Sequence, residues 1–495
     1  MSTESSPGLP VEGNREGATA RENDSVLRDV IEALTVAIAL SLTIKQFAIE
    51  AYKVPTGSME PAIHGDPEVG DRILVDRIGY LARAPRRWEI AVFQFPNNLT
   101  ISYVKRIVGL PGESIFLIGG DVYTGPPGAA YRDITELWRD GELRIQRKPR
   151  ALQDAIFDRF PQIVDGTDRP EDLASFVRNW RVEGLDDGGW RYDEGVVARS
   201  ESRALAVFKR AVMDSRLDVA PGQDANAPAK FHVGDRRLEV EVEPLAEGGA
   251  LVFEMRDAYH ALALEARVPV RGAKDDGGLY IDGERVAALD GFRLVPGRRT
   301  RLSFANADDR LRIEADGETL LEHDYRHEPV RTERPWEVVE HCAFGVEGGA
   351  LRFTRTQLAR DLHYRAQSTP RTEVTEGHYF VLGDNSGASK DSREWYRVTV
   401  RPPSLGGREI YGDSEAVLDP ERIEHRVDNP WKEYDSDTGD LIGEYFMDHL
   451  GNRHDITEGG HGSVSRDPSP LVPRSLILGR AVAIFWPWKR VGLVR

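Results

Sequence analysis

Between Gly70 and Leu117 the chain is written in short runs of β-branched and aromatic residues, and this alternation constrains the fold more than any other feature. RILVDRI, EIAVFQF, SYVKRIVG and SIFLI are separated by clusters of Gly, Pro and Asn. That is the pattern of short strands joined by turns. Pro111-Gly112 is the strongest turn signal, since proline presets its own φ and glycine accepts a positive one. A second strand-rich stretch, residues 233–356, contains RRLEVEVEPL, GGLYIDGERVAAL and GALRFTRTQL with Asp-Gly or Gly-Gly turns. Its regularity predicts an antiparallel β-sandwich of the lectin or laminin-G jelly-roll kind. Between the two, RALQDAIFDRF and PEDLASFVRNW place apolar residues at helical spacing. Residues 397–470 are polar and rich in Gly, Asp, Glu and Pro, which predicts an irregular segment. The closing LILGRAVAIFWPWKRVGLVR reads as a terminal core strand, because Arg480 and Pro487 leave too few apolar residues between them for a membrane span.

Residues 1–24 are rich in Ser, Gly, Glu, Asn and Arg and predict a disordered tail. Asn23, Asp24 and Ser25 then offer a helix N-cap. From Ala33 to Ile44 no residue is charged. Taken alone, this run is compatible with a buried helix, a signal-peptide core or a membrane span. Extended from Val30 to Ile49 it reaches about 30 Å as a helix, enough to span, with Glu32 near one end and Lys45 able to snorkel at the other.

Composition excludes some functions. The chain has 495 residues and a net charge of −17, which disfavours non-specific binding to nucleic acid. Hydrophobic residues make up 40%, enough to build cores. The single cysteine, Cys342, can form no internal disulfide and belongs to no paired-cysteine zinc motif. In EHCAF its neighbour His341 would point to the opposite face of a strand, so a buried thiol is the expected role.

VPTGSMEP, immediately after the apolar run, presents Ser58 between a glycine and a methionine. A serine hydroxyl is a weak nucleophile until a neighbour takes its proton. The twelve histidines are scattered, and no G-x-S-x-G elbow is present, since Glu60 stands two residues after Ser58. A lysine serves as base only where burial disfavours its ammonium form. Lys105, in ISYVKRIVGLPG, has Val104, Ile107 and Val108 around it to supply such a setting. A solvent-facing lysine with a packed stem is the competing account.

The combination is more specific than its parts. PTGSMEP, GDRILVDRI, YVKRIVGLPGE, GHYFVLGDNSGASKDSR and LILGRAVAIFWP follow one another in that order, behind an apolar segment. Together they resemble the boxes of the type I signal peptidases, membrane-bound Ser–Lys endopeptidases that remove signal peptides from exported proteins. The resemblance covers residues 30–118, 374–395 and 474–489 and leaves the intervening segments uncovered. It implies Ser58 as nucleophile and Lys105 as general base. It implies an oxyanion hole from the Ser58 N–H and the Thr56 hydroxyl. Ser389 matches a serine that lies beside the lysine and orients it, Asp384 belongs to the same box, and Asp391 and Arg393 match an ion pair that shapes the site. Tyr103, two before the lysine, is expected to pack. The family's box carries Arg after GDN and Asn before the serine, where this chain has Ser386 and Ala388; these departures put the support of the loop in question. The resemblance implies no metal and no cofactor.

On this reading the chain is mainly β, with a signal-peptidase-like antiparallel catalytic core, an N-terminal transmembrane helix and a large inserted domain. Residues 1–26 form a cytoplasmic tail and 27–50 the transmembrane helix. Residues 51–119, 371–396 and 471–495 form the core. Residues 120–232 are a mixed helical insertion, 233–370 the sandwich and 397–470 an irregular insertion. The implied partners are signal peptides of preproteins and the lipid bilayer, with the catalytic domain on the outer face of the plasma or inner membrane and no nucleic acid involved. Trp88, Trp486 and Trp488 suit either the membrane interface or ordinary packing. Two alternatives stay open. One is an autoproteolytic repressor with the same chemistry, although no basic DNA-binding head is present. The other is a binding protein whose sandwich takes a glycan or peptide ligand while the peptidase core is a scaffold.

Overall fold

The computed structural model describes residues 30–37, 49–159, 161–163, 168–184, 189–214, 231–256, 262–328, 341–366, 371–413, 418–419, 422–423, 430–456, 460 and 462–495. The chain is mainly β. The expected tail and most of the expected transmembrane helix lie outside the described residues. Residues 30–37 are helical and exposed, and no described helix is long and apolar enough to cross a membrane.

An eight-stranded sheet runs in the order Ile49–Lys53, Arg72–Asp76, Ile477–Trp486, Ile90–Phe95, Asn98–Gly109, His378–Leu382 and Leu471–Pro473, with Gly492–Leu493 paired to Ile477–Trp486. All its pairings are antiparallel. Strands from the beginning, middle and end of the chain therefore share one sheet. Alternating side chains bury both faces, as expected of a strand with period two. Met59, Ile63, Ile73, Val75 and Val92 pack in one cluster, and Phe93, Phe95, Ile107, Val381 and Trp395 pack in another. Trp88 is buried, with its indole N–H donating to Arg147 O (3.1 Å), whereas Trp486 and Trp488 are exposed.

The large insertion leaves and rejoins this core at neighbouring points. Glu113–Ile118 pairs with Arg371–Val374, and Tyr364 N donates to Gly120 O (2.9 Å). Within the insertion lies a sandwich-like body built on a twelve-stranded sheet. Its long central strand, Cys342–Arg360, pairs with Ala250–Arg256, Arg236–Pro244 and Val196–Phe208. The sheet also takes in Trp180–Glu183 and Trp190–Tyr192, so residues from the stretch expected to be mixed and helical contribute strands as well as the helices Ile134–Arg139, Arg150–Arg159 and Leu173–Asn179. The expectation of an irregular 397–470 needs correction. Tyr396–Arg401 pairs with Ile410–Asp413 and Ser463–Pro468, and Trp431–Tyr434, Leu441–Met447 and Arg453–Ile456 form a meander. Asp435 closes the turn of that meander by accepting from the N–H groups of Asp437 and Thr438 (2.8 and 2.9 Å). Polar sequence here belongs to exposed strand faces and Asx turns, not to missing structure.

A buried charge cluster lies within the insertion, close to where it leaves and rejoins the core. The Lys148 ammonium contacts Asp308 and lies 3.4 Å from Asp361, with Asp121 and Asp235 close by. Burial pushes the carboxyls of Asp121 and Asp235 up, and the neighbouring carboxylates push them further. Burial alone would lower Lys148, but Asp308 and Asp361 outweigh it and hold the amine charged. Each group is therefore costly to separate from the others.

The insertion's apolar core centres on an aromatic group. The Phe344 ring lies 4.9 Å from Trp180 and 4.8 Å from Phe353, both edge-on, and its side chain is fully buried. Phe344→Ala is expected to destabilise the insertion by about 3–5 kcal/mol. Urea unfolding followed by tryptophan fluorescence should show a correspondingly lower midpoint.

Candidate active site

The turn that carries Ser58 is fixed from below. Met59 is fully buried in the core and anchors a short 3-10 turn, Gly57–Met59, with Glu60 N donating to Gly57 O (3.1 Å). As a first-turn N–H, that of Ser58 has no acceptor within the helix and stays available. Thr56 precedes the turn in extended conformation, is exposed, and its hydroxyl caps nothing.

Lys105 lies on Asn98–Gly109, opposite Ala91. Its Nζ donates to Ser58 Oγ at 2.6 Å. The side chain is buried and passes 5.4 Å from the Tyr103 ring, which itself stacks on Phe95. Burial lowers the lysine to about 8; Asp391 opposes the shift, Arg393 adds to it and Asp384 opposes it.

The nearby carboxylates are already engaged. Asp384 takes Arg106 in a two-pronged pair, Nε to Oδ1 at 2.7 Å and Nη2 to Oδ2 at 2.5 Å, both side chains being buried. Asp391 takes Arg393 in the same way, at 2.7 and 2.6 Å, and also accepts from Gly383 N (3.0 Å). A bidentate guanidinium saturates a carboxylate. Neither acid forms an ion pair with Lys105 among the described contacts, and desolvation wins.

The GDN box reaches the lysine by register. His378–Leu382 pairs with Asn98–Gly109 so that Leu382 faces Arg106, and Gly383 and Asp384 follow at once. Asn385 N then donates to Ser58 O (3.1 Å) and its Nδ2 to Gly57 O (3.2 Å). A Cβ on Gly383 would lie 2.4 Å from Ser58 O and 2.1 Å from Ser389 Oγ, so only glycine permits this approach. Ser389 is brought to the same place, but its buried hydroxyl has no hydrogen-bond partner among the described residues, Lys105 included. The structure thus brings together Ser58, Lys105, Asp384, Ser389, Asp391 and Arg393, and leaves Thr56, expected as an oxyanion donor, exposed at the rim.

Sequence reasoning missed several supporting groups. Arg106 carried no expectation of its own, and its partner is 278 residues away. Ser386 is held rather than loose. Its hydroxyl accepts from Arg365 N (2.9 Å) and Arg393 Nη1 (2.7 Å), and its carbonyl from Arg393 Nη2 (3.1 Å). The doubt raised by the Ser386 departure is thus answered by contacts that the local string could not show. Cys342 is a buried thiol, and His341 instead bonds Glu254 (2.9 Å).

A serine hydroxyl on a desolvated lysine, both held by a β-sheet core, defines the class of site. The family model described as signal peptidase, peptidase S26, matches residues 27–134 and 273–410. A signal peptidase I of Leptolyngbya laminosa is 35% identical over 130 residues, covering 25% of this chain and 62% of that protein. A probable signal peptidase I-2 of Synechocystis is 34% identical over 97 residues, 19% of this chain and 43% of its own length. The signal peptidase I of Pseudomonas aeruginosa is 36% identical over 86 residues, 15% and 29% respectively. The chain thus spans less than two thirds of the length of each of these relatives. Among solved structures, a carbohydrate-binding module of Bacillus subtilis aligns with 37% of the chain at 13% identity and a TM-score of 0.24, a level on which nothing is built. The chain belongs to the type I signal peptidase family.

Asp384→Asn keeps the shape of the side chain and strands Arg106 as a buried charge. A loss of about 3–5 kcal/mol is expected. Thermal unfolding should show it, and the double replacement Arg106→Met with Asp384→Leu should recover part of it.

Proposed function

We propose that the protein is a membrane-anchored serine endopeptidase that removes signal peptides from exported preproteins. The 2.6 Å contact between Lys105 Nζ and Ser58 Oγ carries this reading. In the active form Lys105 is neutral and accepts the Ser58 proton while Oγ attacks the scissile carbonyl carbon. The oxyanion of the tetrahedral intermediate is met by the Ser58 N–H and the Thr56 hydroxyl at the turn. The Lys105 ammonium then protonates the leaving amine. Water hydrolyses the acyl-enzyme with Lys105 again as base, so each proton taken is returned. Cleavage after a small residue, with a second small residue two positions upstream, is the specificity that family membership suggests.

The anchor is assigned to residues 27–50, with residues 1–26 in the cytoplasm and the rest outside. Trp486, Trp488, Val491 and Leu493 are exposed on the final segment, whose strand Ile477–Trp486 is separated from the edge strand Ile49–Lys53 by Arg72–Asp76 alone. Aromatic and aliphatic groups so placed suit a membrane surface.

The reading is tested with the full chain in lipid vesicles and a preprotein substrate. Ser58→Ala and Lys105→Ala should each abolish cleavage, and retention of cleavage by both would sink it. The pH profile gives a second check. The base works only when neutral, and burial sets Lys105 at about 8, so kcat/KM should rise with pH and pass its half-maximum near that value. Two units below, only about a hundredth of the lysine is neutral, and the rate should fall in proportion.

A further inference from the structure

The loop Gly383–Asp391 has two sides. Its inner side holds the nucleophile's backbone through Asn385 and Gly383. Its outer side is held by a residue that comes from the insertion. Arg365 N donates to Ser386 Oγ (2.9 Å), and Arg365 O accepts from Arg393 Nη1 (3.1 Å). The Arg365 guanidinium lies flat against Gly387. A Cβ there would come within 2.6 Å of Nη2 and 2.7 Å of Cζ. The guanidinium is itself fixed by an ion pair with Asp214, and both side chains are almost fully buried. Asp214 belongs to the segment after Val196–Phe208, a strand of the insertion's own sheet. Where the family's box carries an arginine, this chain has the small Ser386, and Gly387 after it leaves the surface that Arg365 covers.

We propose that Arg365, anchored by Asp214, is a positioning residue for the active site. It holds the Ser386–Gly387 turn and, through Asn385, the backbone of Ser58 against Lys105. The insertion is then a working part of the catalytic apparatus and not an appendage to it. The proposal rests on the Ser58–Lys105 reading for its effect on rate, but its structural content does not.

A side-chain truncation at 365 loosens the turn without touching any reacting atom. Small misplacements of a reacting group cost rate far more than they cost binding. Loosening also admits water to the lysine pocket and restores solvation of the ammonium. Three outcomes follow for Arg365→Ala in the full chain. The kcat should fall by about tenfold to a hundredfold with KM changed by less than about threefold. The acid limb of the pH profile should move to higher pH. Amide hydrogen exchange should quicken over residues 57–59 and 383–391. Asp214→Asn should reproduce these effects in weaker form, and Arg365→Lys should recover part of the loss, since it keeps the charge but not the flat face.

Unchanged kcat, an unmoved acid limb and unchanged exchange over both segments would overturn the proposal. Should Arg365→Ala fail to fold, the same three measurements on Asp214→Asn and Arg365→Lys decide. If the wild-type chain does not cleave, the proposed function fails while the exchange measurement still decides whether Arg365 holds the Ser58 turn.

Discussion

An amine kept dry among carboxylates that are already spoken for is the condition on which the site depends. A buried lysine beside two free acids would be held charged and could take no proton from a serine. Here each acid has its own arginine, Arg106 for Asp384 and Arg393 for Asp391, in two-pronged pairs that leave little attraction over. The arginines are in turn tied to backbone carbonyls, Arg106 to Trp88 (2.7 Å) and Arg393 to Arg365 (3.1 Å). Four buried charges thus form a rigid, nearly neutral floor beneath one that is lowered to about 8. Such a floor is expensive to bury, and its cost is borne by the core sheet that packs around it.

The sheet explains how the floor is assembled from distant sequence. Lys105 and Arg106 are adjacent and so point to opposite faces of their strand. Lys105 shares its face with Tyr103, while Arg106 turns toward Asp384. Pairing with His378–Leu382 then delivers the GDN box to the same height. A one-residue slip in that register would exchange the faces and separate Asp384 from Arg106.

This arrangement was only partly legible beforehand. The core strands were readable because their apolar runs are short and cleanly bounded, as in EIAVFQF, and the order of the motifs placed Ser58 and Lys105. Arg106 was not, because nothing in a strand's composition says which charged residue faces inward to a partner far along the chain. Val196–Phe208 was hidden for a different reason. Its register with Cys342–Arg360 shifts between Ser200 and Arg203, which breaks the two-residue period that marks a strand. Gly348-Gly349 looks like a turn in the sequence, yet it lies inside the Cys342–Arg360 strand, where Gly249, just before the paired strand Ala250–Arg256, approaches closely. Ser386 and Arg365 were illegible for the simplest reason: their contact joins two segments that the sequence assigns to different domains.

The placement of the insertion carries its own consequence. A long insertion is tolerated where its two ends lie together, because the host then closes no additional loop. Here Gly120 and Tyr364 meet across a backbone hydrogen bond, and Glu113–Ile118 pairs with Arg371–Val374 just beyond. The exit strand therefore runs past the core immediately before the chain returns to supply the GDN box. Asp361 lies in the buried cluster with Lys148, Tyr364 packs among Val108, Leu117 and Leu382, and Arg365 meets Ser386. Five consecutive residues thus go from the charged junction to the edge of the active site. A module joined to its host by a mobile linker would be free to move without consequence for the chemistry. This one is joined by a buried segment in which Leu362 and Tyr364 pack on the core and Arg365 holds Ser386, so a displacement of the insertion would reach the loop beside Ser58.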